Sequence, residues 1–154
     1  MSFSSHKKKF PPEIGEYFDS TWKKRELWEL DLPNKAMRVS ALQWHLDYPF
    51  WSREPPGPVF NLRPRVVLSN PSKHLRHWNR IVTADLSYPL EVGRFGERHV
   101  ILDGLHRLAK AVLAGANELQ CKLVPGHYIR KFAEVDAVID CRVDPVVRLG
   151  ATDR

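Results

Sequence analysis

The segment 99–124 constrains the fold of this chain more than any other part of the sequence. The apolar run 99–102 is typical of a short strand, and the apolar residues of 105–113 recur with helical spacing up to a stop at Gly115. The run 119–124 reads as a further strand. Strand, loop, helix and strand in this order predict a compact βαβ unit and hence an α/β domain.

A hairpin pattern precedes this unit. Apolar side chains alternate from Leu86 to Val92, and the stretch from Gly93 to Gly96 supplies a turn. Because proline cannot donate to a sheet ladder, Pro89 indicates that the incoming strand begins there or lies at a sheet edge.

The first half of the chain contains shorter patterns. Aromatic and apolar residues among charges predict an amphipathic helix over 16–30, and 37–39 predicts a short strand. Ser40 and Gln43 have the spacing of a capping box, which predicts a short helix that runs through His45.

A proline-rich stretch over 52–71 predicts an irregular loop, and such loops often lie over active sites. Ser72 is a candidate N-cap for a helix that runs through Arg80. His74 and His77 on that helix have the spacing of two metal ligands, but no third ligand accompanies them, so we expect no metal site.

The composition is that of one globular domain. Hydrophobic residues make up 43% of the 154 residues and charged residues 27%, so we expect a flexible basic arm over 1–12 and a single domain over 13–154. There is neither a long apolar run nor a signal-peptide pattern, so we expect a soluble cytoplasmic protein without membrane contact. Cys121 and Cys141 lie in apolar stretches, which predicts buried thiols.

The loop between the strand and the helix of the βαβ unit carries the candidate chemistry. The first N–H groups of a helix are unpaired and the peptide dipoles add positive potential, so Gly104 and Leu105 begin an anion site. His106 can donate a hydrogen bond or act as an acid or base near neutral pH. Arg107 can add a bidentate fork to a phosphate, and we expect it to be an exposed residue with few core contacts.

Asp103 has several open roles: it can orient Arg107, cap the helix, bind Mg²⁺ beside a phosphate, or accept a proton. Each residue of the loop also has an ordinary structural role, because Asp-Gly is a common turn pair and Asp often begins a helix. The pattern alone therefore leaves an anion site and a plain turn both open.

Positive charge is concentrated in one segment. The formal net charge is +6, and the segment 52–80 holds six basic residues against one acid. Such charge favours anionic partners without separating nucleic acid from nucleotide. A DNA-associated nuclease or regulatory module that uses this segment is therefore the alternative function.

The stretch 84–125 resembles the core of the ParB/sulfiredoxin-like superfamily. The resemblance rests on the Tyr-Pro-Leu-Glu-Val strand, the Asp-Gly-Leu-His-Arg loop and the alanine-rich helix that ends at Gly115. It implies a compact α/β (α+β) domain with a small mixed sheet and helices packed around it. It also implies that Gly104, His106 and Arg107 line a nucleotide phosphate site.

Differences from the family separate its branches. Sulfiredoxins carry a reactive cysteine where this chain has Leu105, so sulfinic-acid reduction is disfavoured. ParB partition proteins have a Gly-Glu-Arg-Arg loop that binds CTP and a following DNA-binding domain, for which the residues after Pro125 are too few. The loop of this chain looks more like stand-alone members, among them ADP-dependent kinases of free serine.

In such kinases a separate acid activates the hydroxyl, and Asp47 is the candidate here, although Leu46 separates it from His45. The resulting prediction is a nucleotide- and phosphate-binding protein that acts as a phosphotransferase on a small molecule. ATP, ADP or CTP with Mg²⁺ would be the cofactor, bound by 104–107. Asp103, His106 or Asp47 would supply the acid or base.

Overall fold

The computed structural model describes residues 23–53 and 60–131 of the chain. These residues form six α-helices, two 3-10 helices and one four-stranded sheet. The basic arm predicted over 1–12, the first part of the predicted helix over 16–30, and Cys141 lie outside the described residues. Within the described ranges, no helix has the length and apolarity needed to span a bilayer.

The helices and strands follow one another with short connections over most of the described chain. In order they are α1 (Lys24–Trp28), β1 (Asn34–Arg38), α2 (Val39–Leu42), a 3-10 helix (Gln43–Asp47), α3 (Pro64–Ser69), a second 3-10 helix (Pro71–Lys73), α4 (Leu75–Thr83), β2 (Leu90–Phe95), β3 (Arg98–Asp103), α5 (Leu105–Leu113), β4 (Glu118–Leu123) and α6 (Gly126–Lys131).

The sheet confirms the predicted hairpin and corrects the predicted βαβ unit. β2 and β3 pair antiparallel, as the alternation predicts, but the turn is at Gly96 and Glu97, and Gly93, which was predicted to begin the turn, is part of β2. The strand order is β1-β4-β2-β3, so β2 lies between the two strands that α5 connects. The parallel neighbours are instead β2 and β4. The predicted fold class, an α/β domain with a small mixed sheet and helices around it, is confirmed.

Alternation along β2 gives the sheet two buried faces. Leu90 and Val92 belong to a core that α2, α3, α4 and α5 cover. Phe95 belongs to a second core, which includes Leu27 of α1 and Ile129 of α6. Because both faces are covered at this point of the strand, the carboxylate of Glu91 is removed from water and needs partners, whereas Arg94 nearer the hairpin turn stays exposed.

The predicted capping box is wrong. α2 begins at Val39, one residue before Ser40, and no side chain hydrogen-bonds to its first turn. The N–H of Val39 donates to Asn117 O at 2.8 Å, so a carbonyl from a distant part of the chain satisfies the start of this helix.

The irregular loop predicted over 52–71 contains a helix. Pro64 stands in the first turn of α3, where the fixed φ of proline favours helix. Ser72 is part of the second 3-10 helix rather than an N-cap, and α4 begins after His74 instead. The buried face of α4 carries His77 together with Ile81.

His45 ties the first 3-10 helix to the edge of the sheet. It is fully buried, its Nδ1 lies 2.7 Å from Leu42 O, and the N–H of Ile101 on edge strand β3 donates to its Nε2 at 3.0 Å. A carbonyl can only accept, so Nδ1 carries the proton. Burial lowers the pKa of His45 to about 3, and this neutral side chain therefore satisfies an N–H of the edge strand.

Candidate functional site

A row of charged residues crosses three strands beside the candidate loop. Asp103 on β3 lies opposite Glu91 on β2, and Glu91 lies opposite Lys122 on β4. Two carboxylates that face each other across a ladder repel, and Glu91 is 3% exposed. Burial raises the pKa of Glu91, whereas the charge of Lys122 opposes that rise. The row is stable only with cations around it.

Arg107 supplies one of these cations, and the expectation that it is exposed with few core contacts is wrong. Its side chain is 15% exposed, and its Nη2 lies 3.3 Å from Asp103 Oδ2 and 3.8 Å from Glu91 Oε1. Its Nη1 donates to Tyr88 O at 3.1 Å and to Pro89 O at 2.7 Å. The guanidinium therefore joins the start of α5 to the start of β2. Its four polar contacts are all with groups of the protein.

Asp103 orients Arg107, which is one of the roles that the sequence left open, and it does not cap α5. Its Oδ2 also accepts from Trp28 Nε1 at 2.7 Å, and Lys24 Nζ lies 3.4 Å from its Oδ1. Both partners come from α1. Lys122 holds the C-terminal end of α1, because its Nζ donates to the carbonyl oxygens of Leu27, Trp28 and Leu30 at 3.0 to 3.2 Å.

Gly104 forms the turn that the loop requires. Its φ is +119°, in the left-handed region, and a Cβ at this position would lie 2.7 Å from Leu90 Cγ. Its carbonyl accepts the first α-helical bond from Leu108 N at 2.9 Å, and no side chain caps the first turn of α5. The backbone N–H groups of Leu105, His106 and Arg107 are therefore presented without a side-chain acceptor, as an anion site needs.

His106 belongs to a chain of hydrogen bonds that shares no partner with Arg107. His106 Nε2 lies 3.1 Å from His77 Nδ1, and His77 Nε2 lies 2.7 Å from Ser52 O. The indole of Trp51 stacks on both imidazoles, with ring centroids 4.2 Å from His106 and 4.6 Å from His77. Three aromatic rings therefore form one packed group beside the first turn of α5.

Burial keeps both histidines of this group neutral. Burial is the largest cause that lowers the pKa of His106 to about 2, and the charges of Arg80 and Lys24 lower it further. The pKa of His77 is also lowered, first by burial and then by cations that include Arg80. The expectation that His106 titrates near neutral pH is therefore wrong for the protein without a ligand, and the same shifts show that Arg80 and Lys24 place positive potential at the loop.

Asp47, the candidate acid from the first half of the chain, pairs with a different set of residues. Its carboxylate accepts from Arg65, with Nη2 3.1 Å from Oδ2, and Arg63 Nε donates to its backbone oxygen at 2.9 Å. Its side chain is 55% exposed, and the hydrogen bond from Arg65 lowers its pKa. Among the described hydrogen bonds and ion pairs, none joins Asp47 to the loop 103–107.

Several residues of this region were missed or misplaced in the sequence. Glu91 and Lys122 had a detectable signal, because each is a charged residue with an apolar residue on either side or close by in its strand, and such residues are buried only when paired. For His77 the sequence indicates only the spacing of a metal ligand, because the residues that it contacts lie 25 and 29 positions away. In the part of the chain that the structure describes, no three His, Cys, Asp or Glu side chains converge as a metal site.

The search against protein-family models and curated proteins found no match for this chain. The resemblance to the ParB/sulfiredoxin-like superfamily therefore stays a prediction.

Proposed function

We propose that this chain binds a phosphate group of a nucleotide at the first turn of α5 and acts as a phosphotransferase on a small molecule. The observation that carries the proposal is the N-cap position of α5, which is occupied by Gly104 in a left-handed conformation. Because glycine has no side chain, the first turn of α5 has no side-chain cap. A turn of this kind presents backbone N–H groups and the positive end of a helix of nine residues to an anion.

Positive charge around the loop supports the proposal. Lys24 and Arg80 both lower the pKa of His106, so their charges reach the first turn of α5 from two different helices. Arg80 and Lys24 are exposed and can move onto a bound phosphate. Arg107, which the sequence placed on the phosphate, serves instead as the strut that holds the loop against Asp103.

The expected Mg²⁺ ion does not fit the carboxylate of Asp103 as it stands. That carboxylate already accepts hydrogen bonds from Trp28 and Arg107 and forms an ion pair with Lys24. The positive charges of Arg107 and Lys24 would repel a divalent ion. Asp47 is a weak candidate for the base, because its pKa is lowered. The proposal therefore rests on binding of the phosphate and assigns no proton acceptor.

Thermal unfolding with ATP, ADP, CTP or GTP tests the proposal, because a ligand that binds only the folded state raises the apparent stability. The informative variant is Lys24→Gln with Arg80→Gln, which we expect to weaken nucleotide binding about 10-fold or more. The matched control is Arg25→Gln with Arg94→Gln, which removes the same charge from α1 and from the hairpin. Stabilisation by no nucleotide, or equal loss in both double variants, would contradict the proposal.

One observation favours the alternative, a nucleic-acid-associated module. Lys73, Arg76 and Arg80 are exposed along the second 3-10 helix and α4, and Arg76 and Arg80 are one helical turn apart. Contacts of three such cations with phosphates would make duplex DNA affinity fall with salt with a logarithmic slope of about 3. A nucleotide site at α5 predicts no such slope for duplex DNA, so the salt series separates the two functions.

A further inference from the structure

The hydrogen bonds of the histidine pair determine where its protons lie. A carbonyl oxygen can only accept, so His77 Nε2 must donate to Ser52 O at 2.7 Å. His77 is neutral, because burial lowers its pKa, and its Nδ1 is therefore an acceptor. His106 Nε2 must then donate to His77 Nδ1 across 3.1 Å. Both imidazoles carry their single proton on Nε2.

With these proton positions the imidazole of His106 has no donor left for a ligand. The only ring N–H of His106 is used on His77, and its Nδ1 carries a lone pair that has no hydrogen-bond partner among residues 23–53 and 60–131. Nδ1 is the ring nitrogen closer to the backbone, and His106 is itself a residue of the first turn of α5. The prediction that His106 donates to a phosphate therefore does not fit the hydrogen bonds of the pair.

Stacking fixes the orientation of both rings. Trp51 is 6% exposed and lies nearly parallel to His106, at 12°, and to His77, at 5°. Because the indole covers both imidazoles, rotation of His106 about its side-chain bonds would break the stack as well as the hydrogen bond. The lone pair of Nδ1 is thus held in one direction.

We infer that His106 Nδ1 accepts a hydrogen bond from a hydroxyl group of the ligand, and that His77 is the positioning residue that keeps this nitrogen unprotonated. The inference rests on the proposed function, because the ligand is held by its phosphate at the neighbouring N–H groups of α5. It names the ligand class as a phosphorylated compound with a hydroxyl close to the phosphate. A fully ionised phosphate oxygen has no proton to give to Nδ1.

Two hydroxyl sources share this chemistry, namely the ribose of a nucleotide and the carbon chain of a phosphorylated small alcohol. Binding of ADP and of its dideoxy analogue tests the first source. Binding of glycerol phosphate and of propyl phosphate tests the second. We expect one of the two hydroxyl-bearing ligands to bind about 10-fold more tightly than its partner that lacks the hydroxyl. Equal binding within both pairs would overturn the inference and leave phosphate binding standing.

Imidazole nitrogen NMR of the full chain tests the proton positions directly. Both His77 and His106 should show a protonated Nε2 and an unprotonated Nδ1. At mildly alkaline pH, where a phosphate ester is fully ionised, the Nδ1 signal of His106 should move when the hydroxyl-bearing ligand binds but not when its partner that lacks the hydroxyl binds. A protonated Nδ1 on His106 would overturn the inference. Absence of any phosphate effect on the amide signals of 104–107 would overturn the proposed function as well.

Two substitutions at His77 separate positioning from simple packing. His77→Phe keeps a ring on Trp51 but removes the acceptor, so we expect mixed proton positions on His106 and loss of the preference for the hydroxyl, with phosphate affinity unchanged. His77→Asn places an oxygen near the position of Nδ1 and should restore the preference. Retention of the preference in His77→Phe would contradict the positioning role.

Discussion

The two sides of the loop Asp103–Arg107 are built in opposite ways. On one side, Asp103 and Arg107 pair with each other and with residues of β2 and α1, so their polar groups are used inside the protein. On the other side, the first turn of α5 has no side-chain cap, and His106 has an Nδ1 without a partner in the described chain. The first side holds the loop in place, and the second is the side that the proposed ligand would contact.

On the side that holds the loop in place, Glu91 is a buried group whose hydrogen bonds are incomplete. Its Oε1 is buried without a hydrogen-bond partner in the described structure, and the nearest cation, Arg107 Nη2, is 3.8 Å away. An ion pair at that distance still stabilises the carboxylate. The charge of Arg107 is therefore needed more for the fold than for a ligand.

The largest expected effect comes from Arg107→Ala. Removal of the guanidinium leaves Asp103 and Glu91 facing each other with one cation fewer, and we expect a loss of about 3 kcal/mol in the free energy of unfolding. Urea unfolding measures it, with Arg94→Ala on the hairpin as the control for loss of an arginine. A loss below ~1 kcal/mol would mean that Arg107 is not the strut of the loop.

Gly104→Ala should have the next largest effect. A Cβ at this position meets Leu90 Cγ at 2.7 Å, and the φ of +119° is strained for any residue with a side chain. We expect a loss of about 2 kcal/mol in stability together with weaker phosphate binding. Gly96→Ala is the control, because its φ is also positive but nothing lies within 4 Å of the added Cβ. Equal losses at the two glycines would assign the effect to backbone strain alone.

Acidification should change the stability of the protein in opposite directions through His106 and through Glu91. The pKa of His106 falls from 6.5 in the unfolded chain to about 2 in the folded one, so only the unfolded chain takes up this proton as the pH drops below 6.5. Stability from this residue is complete above pH 6.5 and is lost as the pH falls toward 2. Glu91, whose pKa is raised by burial, acts in the opposite direction and gains stability on acidification.

The slope of unfolding free energy against pH, just below pH 6.5, measures this contribution. His106→Phe should reduce the slope by up to about 1.4 kcal/mol per pH unit, because one proton no longer distinguishes the two states. Glu91→Gln should instead make stability fall more steeply as the pH is lowered through the pKa of Glu91. An unchanged slope in His106→Phe would show that His106 is not held neutral by the fold.

Local patterns predicted the local parts of this region. The end of β3, the left-handed turn at Gly104 and the start of α5 follow from an apolar run, an Asp-Gly pair and helical spacing, all within a few residues. The hairpin of β2 and β3 followed from alternation in the same way.

The partners of the loop could not be predicted, because they come from distant positions. Arg107 bonds to carbonyls 18 and 19 residues earlier, and His106 meets His77 across 29 residues. Which strand lies beside which decides these pairs, and periodicity carries no information about strand order. The helix α3 was missed because several prolines suggested a loop, although proline is favourable at the first position of a helix.

The most direct test of the central claim is an amide-resolved NMR titration of the full chain with ADP, followed by inorganic phosphate. Phosphate binding at α5 predicts that the largest changes of both titrations fall on the N–H groups of 104–107, because these groups would donate to the anion. Changes confined to α4, or no change at the loop with either compound, would contradict the account and favour the basic surface of α4 as the functional part of the molecule.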